Sequence, residues 1–268
     1  MEKAIFIEEL KHPDKETPLS AEYTRIYFGE EFCGRRLPSK RGVDAVVALC
    51  EATGRGLTFL TPIVTEPELA VLHKLTGHLL ALAKNKSQLD LEIVFNDLGF
   101  FESLKGTGGF RPVLGHMLTG QKRDPGFLLP FHPNKTRPED RTHMRGVRVD
   151  ANKWINTYIK KNFKRVELVN TVQGCDLDVR LPQSLYIPLV PVAVTRYCKW
   201  AAREAGAQNA SNYFDCGTPC RKNVAKAVIK GVPIYLYGNT QFYINMEMGP
   251  PSPNVDRLVL YSFSVFPV

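Results

Sequence analysis

Arg25-Ile26-Tyr27-Phe28-Gly29, then Val43, Val46, Val47 and Cys50 followed by Gly54, then Leu57-Thr58-Phe59-Leu60, form the stretch from which the fold is read. The first run is short, mostly apolar and closed by glycine, which reads as a strand ending in a turn. The four residues of the second run stand at i, i+3, i+4 and i+7, one face of a helix, and Gly54 marks its stop. The third run is a strand again. Strand, amphipathic helix, strand is the unit of a parallel sheet with crossover helices.

The same alternation continues in both directions. Toward the start, Ala4-Ile5-Phe6-Ile7 reads as a first strand, and its apolar stretch is too short for an export signal. Downstream, Thr65 and Glu68 form a capping-box pair with Pro67 tolerated in the first turn, ahead of a stripe of Leu69, Leu72, Leu75, Leu79 and Leu82. Leu91-Glu92-Ile93-Val94-Phe95 is a strand that delivers polar groups, Asn96-Asp97-Leu98-Gly99, at its carboxyl end. Further strand patterns lie at 166–170, 185–187, 192–195, 234–237 and 258–261. No internal repeat and no Gly/Ser linker divides the chain, so residues 1–268 are expected to form one α/β domain. A (β/α)8 TIM-like barrel, which needs about 250 residues, fits best, with irregularity near the C-terminus where strands follow one another without good helices. An open doubly wound sheet is the alternative.

No run of eighteen apolar residues is present, which excludes a membrane-spanning helix. Without an export signal the expected location is the cytoplasm, a reducing compartment where six cysteines speak for metal binding or catalysis before disulfides. The formal charge of +8 is unevenly placed: residues 111–165 carry +9 and the remainder sums to −1. This basic, insert-like segment within the barrel suggests an anionic partner such as RNA, or equally a solvated surface. Phe127, Phe131 and Trp154 lie among its charges, either as stacking platforms for bases or as core and loop anchors.

Cys216-Gly217-Thr218-Pro219-Cys220 is the sharpest local signal. Two thiolates separated by three residues can share a metal centre, and Gly217 and Pro219 favour a turn. Cys198 follows a strand pattern and Cys33 stands four residues beyond Gly29, again past a strand. In a parallel barrel all strand ends meet on one face, so distant cysteines can converge there. Four thiolates in one place suit a cubane cluster. Zinc remains the alternative, although a single close pair with two scattered cysteines is less like a zinc ribbon. Cys50 falls on the apolar stripe of its helix and Cys175 sits in a turn; neither is assigned a role. His73 and His78 are five residues apart, about 140° around a helix, and so share no metal-binding face. H-E-x-x-H, G-x-S-x-G and P-loop patterns are all absent, and each histidine reads as surface or satisfied core.

Several of these segments together resemble the collagenase-like peptidase family U32, in particular its ubiquinone-biosynthesis (UbiV) iron–sulfur branch. They are Ile26-Tyr27-Phe28-Gly29-Glu30-Glu31-Phe32-Cys33, Val94-Phe95-Asn96-Asp97-Leu98-Gly99 and Glu167-Leu168-Val169-Asn170, then Thr195-Arg196-Tyr197-Cys198, the Cys216/Cys220 pair and Gly238-Asn239-Thr240-Gln241. The resemblance implies an α/β barrel with one [4Fe–4S] cluster on Cys33, Cys198, Cys216 and Cys220. It also implies oxygen-independent hydroxylation of a quinone precursor ring or an RNA base, with prephenate as oxygen donor. The E-x-F-x-H-G-A-x-C segment of the peptidase-named members is missing, so proteolysis is not expected. The chain departs from the family pattern in its basic section 115–148 and in its longer Cys198–Cys216 spacing. Arg35, Arg36 and Arg196 stand beside cluster cysteines and are candidate anchors for a dicarboxylate. Asn96, Asp97 and Gln241 are candidates for orienting a substrate. A non-catalytic iron–sulfur scaffold that acts with a second family member as heterodimer partner is the competing expectation.

Overall fold

Adjacent residues of a strand point to opposite faces, and in this chain both faces are covered. Ile26 and Phe28 of strand β2 (Arg25–Gly29) pack outward with Val43, Val46 and Val47 of helix α1 (Lys40–Thr53), while Tyr27 between them points into a second, inner core. In the computed structural model, which describes residues 1–10, 19–84, 89–125, 137–196, 198–204, 216–229 and 231–266, this division runs around the whole molecule. Strands β1 (Glu2–Ile7), β2, β3 (Gly56–Thr61), β4 (Leu91–Phe95), β5 (Arg111–Leu114), β6 (Arg165–Val169) and the first half of β7 (Gln183–Val194) lie side by side in parallel. Strand β11 (Val255–Tyr261) pairs in parallel with both β7 and β1 and closes the ring. The result is a closed eight-stranded parallel barrel with helices on its outside, the TIM-like architecture expected.

Local signals position the first helices. Ser39 caps α1 by accepting from the Gly42 amide at 3.1 Å, and Gly54 ends it in the left-handed region at φ 66°. Thr65 donates to the Glu68 carboxylate from both its amide and its hydroxyl, at 2.8 and 2.7 Å, ahead of α2 (Glu66–Lys84). Gly29 ends β2 at φ 130°, and a Cβ there would lie 2.4 Å from the Leu60 carbonyl oxygen. Only glycine lets the chain turn so tightly against β3, and this turn starts the segment leading to Cys33.

The C-terminal irregularity has a definite form. The two patterns at 185–187 and 192–195 are one twelve-residue strand. Its first half stays in the barrel; from Leu189 onward it leaves the ring and pairs antiparallel with β10 (Thr240–Ile244), followed by β9 (Val232–Tyr237) and β8 (Ala225–Ile229). Residues 234–237 therefore belong to this appended sheet, and β11 supplies the eighth barrel strand. The basic segment contributes β5, then α4 (His116–Thr119), α5 (Pro138–Arg145), α6 (Arg148–Ala151) and α7 (Lys153–Asn162), before β6 begins at Arg165. It is thus part of the wall and of one crossover. Among the described residues no helix is long and apolar enough to cross a membrane.

Inside the barrel, at the amino ends of the strands, a charged network fills the floor. Arg257 donates to both oxygens of Glu92, at 2.7 and 3.2 Å, and to the Tyr27 hydroxyl at 2.9 Å. Tyr27 in turn donates to Glu167 at 3.0 Å.

Candidate metal centre

Beyond β2 the chain runs through Glu30, Glu31 and Phe32 to Cys33, then makes a 3-10 turn over Gly34–Arg36, with the Arg36 amide bonded to the Cys33 carbonyl at 3.0 Å. Beyond β7, Cys198 precedes the short helix α8 (Lys199–Glu204). Cys216 and Cys220 flank the turn that the sequence suggested: Thr218 is left-handed at φ 55°, and Pro219–Lys222 forms a 3-10 turn. These three segments meet. Cys33, Cys198, Cys216 and Cys220 line one narrow cavity with Arg35, Arg36, Ala201, Thr218 and Gly238. The cavity's shared lining joins them; among the described residues no group of three or more His, Cys, Asp or Glu is set as ligands around a metal ion.

The electrostatics are those of buried thiols. Burial pushes the Cys33 thiol up to about 12, with Glu30 adding to the shift and Arg36 opposing it. Cys220 is also raised by burial, again opposed by Arg36, and it senses the charges of Cys198 and Cys216. Burial thus favours the protonated form of Cys33 and Cys220, and a metal would have to displace those protons. Cys50 and Cys175 lie elsewhere, both buried in the outer core.

The other sequence candidates separate. Arg35 lines the cavity and pairs with Glu68 at 3.3 Å. Arg36 lines it too, buried, donating to Glu30 at 2.8 Å and stacking over the Tyr237 ring at 4.3 Å. Asp97 is occupied as the N-cap of α3 (Leu98–Leu104), accepting from the Phe100 amide at 3.0 Å. Arg196 is exposed past the end of β7, and Gln241 sits half-buried on β10 opposite Ala193. Neither is in the cavity lining.

Asn96 belongs to a second constellation, at the carboxyl mouth of the barrel. Its side-chain amide donates to the Thr61 carbonyl at 3.0 Å and faces Glu31 at 3.4 Å, and its oxygen accepts from the Met117 amide. Glu31 is fully buried and also meets His116 Nε2 at 3.4 Å and the Tyr186 hydroxyl at 3.5 Å. Arg123 Nη1 lies 3.2 Å from His116 Nδ1. Because a guanidinium only donates, Nδ1 accepts, and Nε2 carries the proton facing Glu31. Burial lowers Arg123 to about 10, with Glu31 opposing.

The chain is similar to a U32 peptidase. The solved structure of the U32 peptidase Mk0906 matches at 13% identity and a TM-score of 0.45, over 97% of this chain and 92% of that one. No protein-family model and no curated protein matches.

Of the barrel-mouth residues the sequence marks Asn96 alone, and gives no local signal for His116, Glu31 or Arg123. His116 stands in no motif, and Glu31 is one of two adjacent acids ahead of Cys33. The available signal was position: both follow barrel strands at the carboxyl face, where functional groups of this fold gather.

Proposed function

We propose that the chain is an iron–sulfur protein in which Cys33, Cys198, Cys216 and Cys220 hold one [4Fe–4S] cluster, and that it takes part in oxygen-independent hydroxylation. The observation that carries this reading is the shared cavity, reached by four thiols from three separate segments. The donor set fits such a group. No carboxylate lines the cavity among the described residues, and the Nε and Nη1 of buried Arg36 have no hydrogen-bond acceptor. When bound, the cluster supplies one-electron chemistry, which side chains do not. The resemblance to U32 segments supports a quinone precursor or RNA base as substrate and prephenate as oxygen donor. Zinc on the same thiols is the competing occupant. Protein purified without oxygen is expected to be brown and to carry about four iron atoms with matching sulfide. Stoichiometric zinc without sulfide would overturn the assignment.

On the substrate side, the Arg123–His116–Glu31 chain holds a proton at His116 Nε2 within the barrel mouth. Placed there, it is suited to exchange a proton with a bound ring or carboxylic acid. His116→Ala is expected to lower anaerobic hydroxylation of a quinone precursor with prephenate about 100-fold while iron and sulfide stay at wild-type levels. An unchanged rate removes His116 from the chemistry.

Helix α7 favours RNA as the substrate class. Trp154 is 74% exposed and stacks on Tyr158, and Lys153, Lys160, Lys161 and Lys164 are exposed around it. Phe127 and Phe131 lie outside the described residues. Much of the remaining positive charge in 111–165 is engaged, as in Arg165 with Asp256 and Arg137 with Asp140. Transfer RNA is expected to bind at low salt, with the affinity falling about 0.9 log units per log salt for each duplex phosphate contacted. Trp154→Ala should weaken it about tenfold or more. No binding at low salt would leave the quinone precursor as the substrate.

A further inference from the structure

Arg36 is buried at 5% exposure, and only part of its guanidinium is satisfied. Nη2 donates to Glu30, and the plane stacks on Tyr237, with Phe263 at 5.5 Å. Nε and Nη1 have no acceptor, a costly arrangement for a buried cation. Gly238 shows where the free edge lies. At φ 60° it presents no side chain, and a Cβ there would be 3.6 Å from Cys220 Sγ and 3.7 Å from Arg36 Nη1. The sulfur and the unused N–H group therefore border the same small space. Glu30, Tyr237 and Phe263 fix the guanidinium in that position from the other sides.

Resting on the cluster reading above, we propose that Arg36 is the hydrogen-bond donor and counter-charge of the four-thiolate cluster and sets its reduction potential, and is not an anchor for substrate. A cluster on four thiolates is anionic and gains one further negative charge on one-electron reduction. A fixed cation whose unused Nη1 borders the same space as Cys220 Sγ can satisfy that donor on sulfur and favours the reduced state. In the test the electron comes from dithionite, and no covalent bond is made or broken.

The measurement is the midpoint potential of anaerobically purified wild-type, Arg36→Gln and Arg36→Lys proteins, with iron and sulfide determined on each. Arg36→Gln is expected to disfavour the reduced state at least tenfold, a fall of about 59 mV for one electron. Arg36→Lys should retain most of the wild-type value, since it keeps the charge. A second readout needs no variant: arginine labelled with ¹⁵N in the guanidinium should alter the nitrogen couplings seen by pulsed EPR of the reduced wild-type protein. An unchanged potential in Arg36→Gln at full iron and sulfide overturns the proposal. So does the absence of any labelled-arginine coupling in the wild type, which decides the matter if Arg36→Gln fails to fold. Coupling that survives Arg36→Gln would belong to Arg35 and would equally overturn it. Wild-type protein without iron and sulfide would instead sink the cluster reading itself.

Discussion

Alanine in place of any one of Cys33, Cys198, Cys216 or Cys220 is expected to strip most of the iron and colour from anaerobically purified protein, whereas Cys50→Ala and Cys175→Ala retain both. Each of the four lines the same cavity, and they arrive on segments that nothing but the fold brings together. Loss of one thiolate leaves an iron without its protein ligand. Cys50 faces the outer core from α1 and its thiol lies 3.8 Å from the Gly56 carbonyl. Cys175 is packed in the same core, and burial pushes its thiol up to about 11. Truncating either costs about 1 kcal/mol of packing and leaves the cavity alone. Circular dichroism on each variant separates lost iron from a lost fold. Cys33→Ala is the decisive member, because Cys33 comes from the far end of the chain. Full iron in that variant would detach it from the set, and iron loss in Cys175→Ala equal to that in Cys220→Ala would put Cys175 among the ligands.

The parallel barrel was legible because its strands are covered on both faces, so runs such as 57–60 and 91–95 carry almost no polar residues. The two polar exceptions, Thr58 and Glu92, mark the floor, where the Thr58 hydroxyl donates to Glu92 at 2.8 Å. Strand β5 gives little strand signal because it is four residues long and contains Pro112, whose missing N–H weakens any strand reading. Strand β7 looked like two because Pro188 and Pro191 interrupt it. Both are tolerated near the point where the strand changes partners, from β11 to β10. The cysteines could be grouped from sequence since each follows a strand pattern or a turn. His116 could not, because its partners Glu31 and Arg123 come from different loops and only the closed ring brings Glu31 to it.

Arg257→Ala is expected to destabilise the protein by about 3–5 kcal/mol, because it leaves Glu92 buried without its main partner. Burial pushes the Glu92 carboxyl up, but the hydrogen bond and charge of Arg257, together with Arg25 and Thr58, outweigh it and hold the group at about 2. Glu92 therefore stabilises the fold above the ordinary carboxyl value of 4.5, and that stability is lost as pH falls toward 2. Glu167 acts with the opposite sign. Burial raises it to about 8, with Arg257 and Arg165 opposing and Glu92 adding to the rise. Between pH 4.5 and 8 the folded carboxyl keeps a proton that the unfolded chain releases, so stability declines as pH rises through that window. The two flanks place the floor's largest contribution near pH 4.5. Glu167→Gln removes the titrating proton while keeping a group that can accept from Tyr27. Urea midpoints measured across this range should fall with rising pH in the wild type and stay nearly level in Glu167→Gln, the difference reaching a few kcal/mol above pH 8. Parallel curves for the two proteins would show that Glu167 is already ionised in the folded barrel, held by Arg257 and Arg165 rather than by its proton.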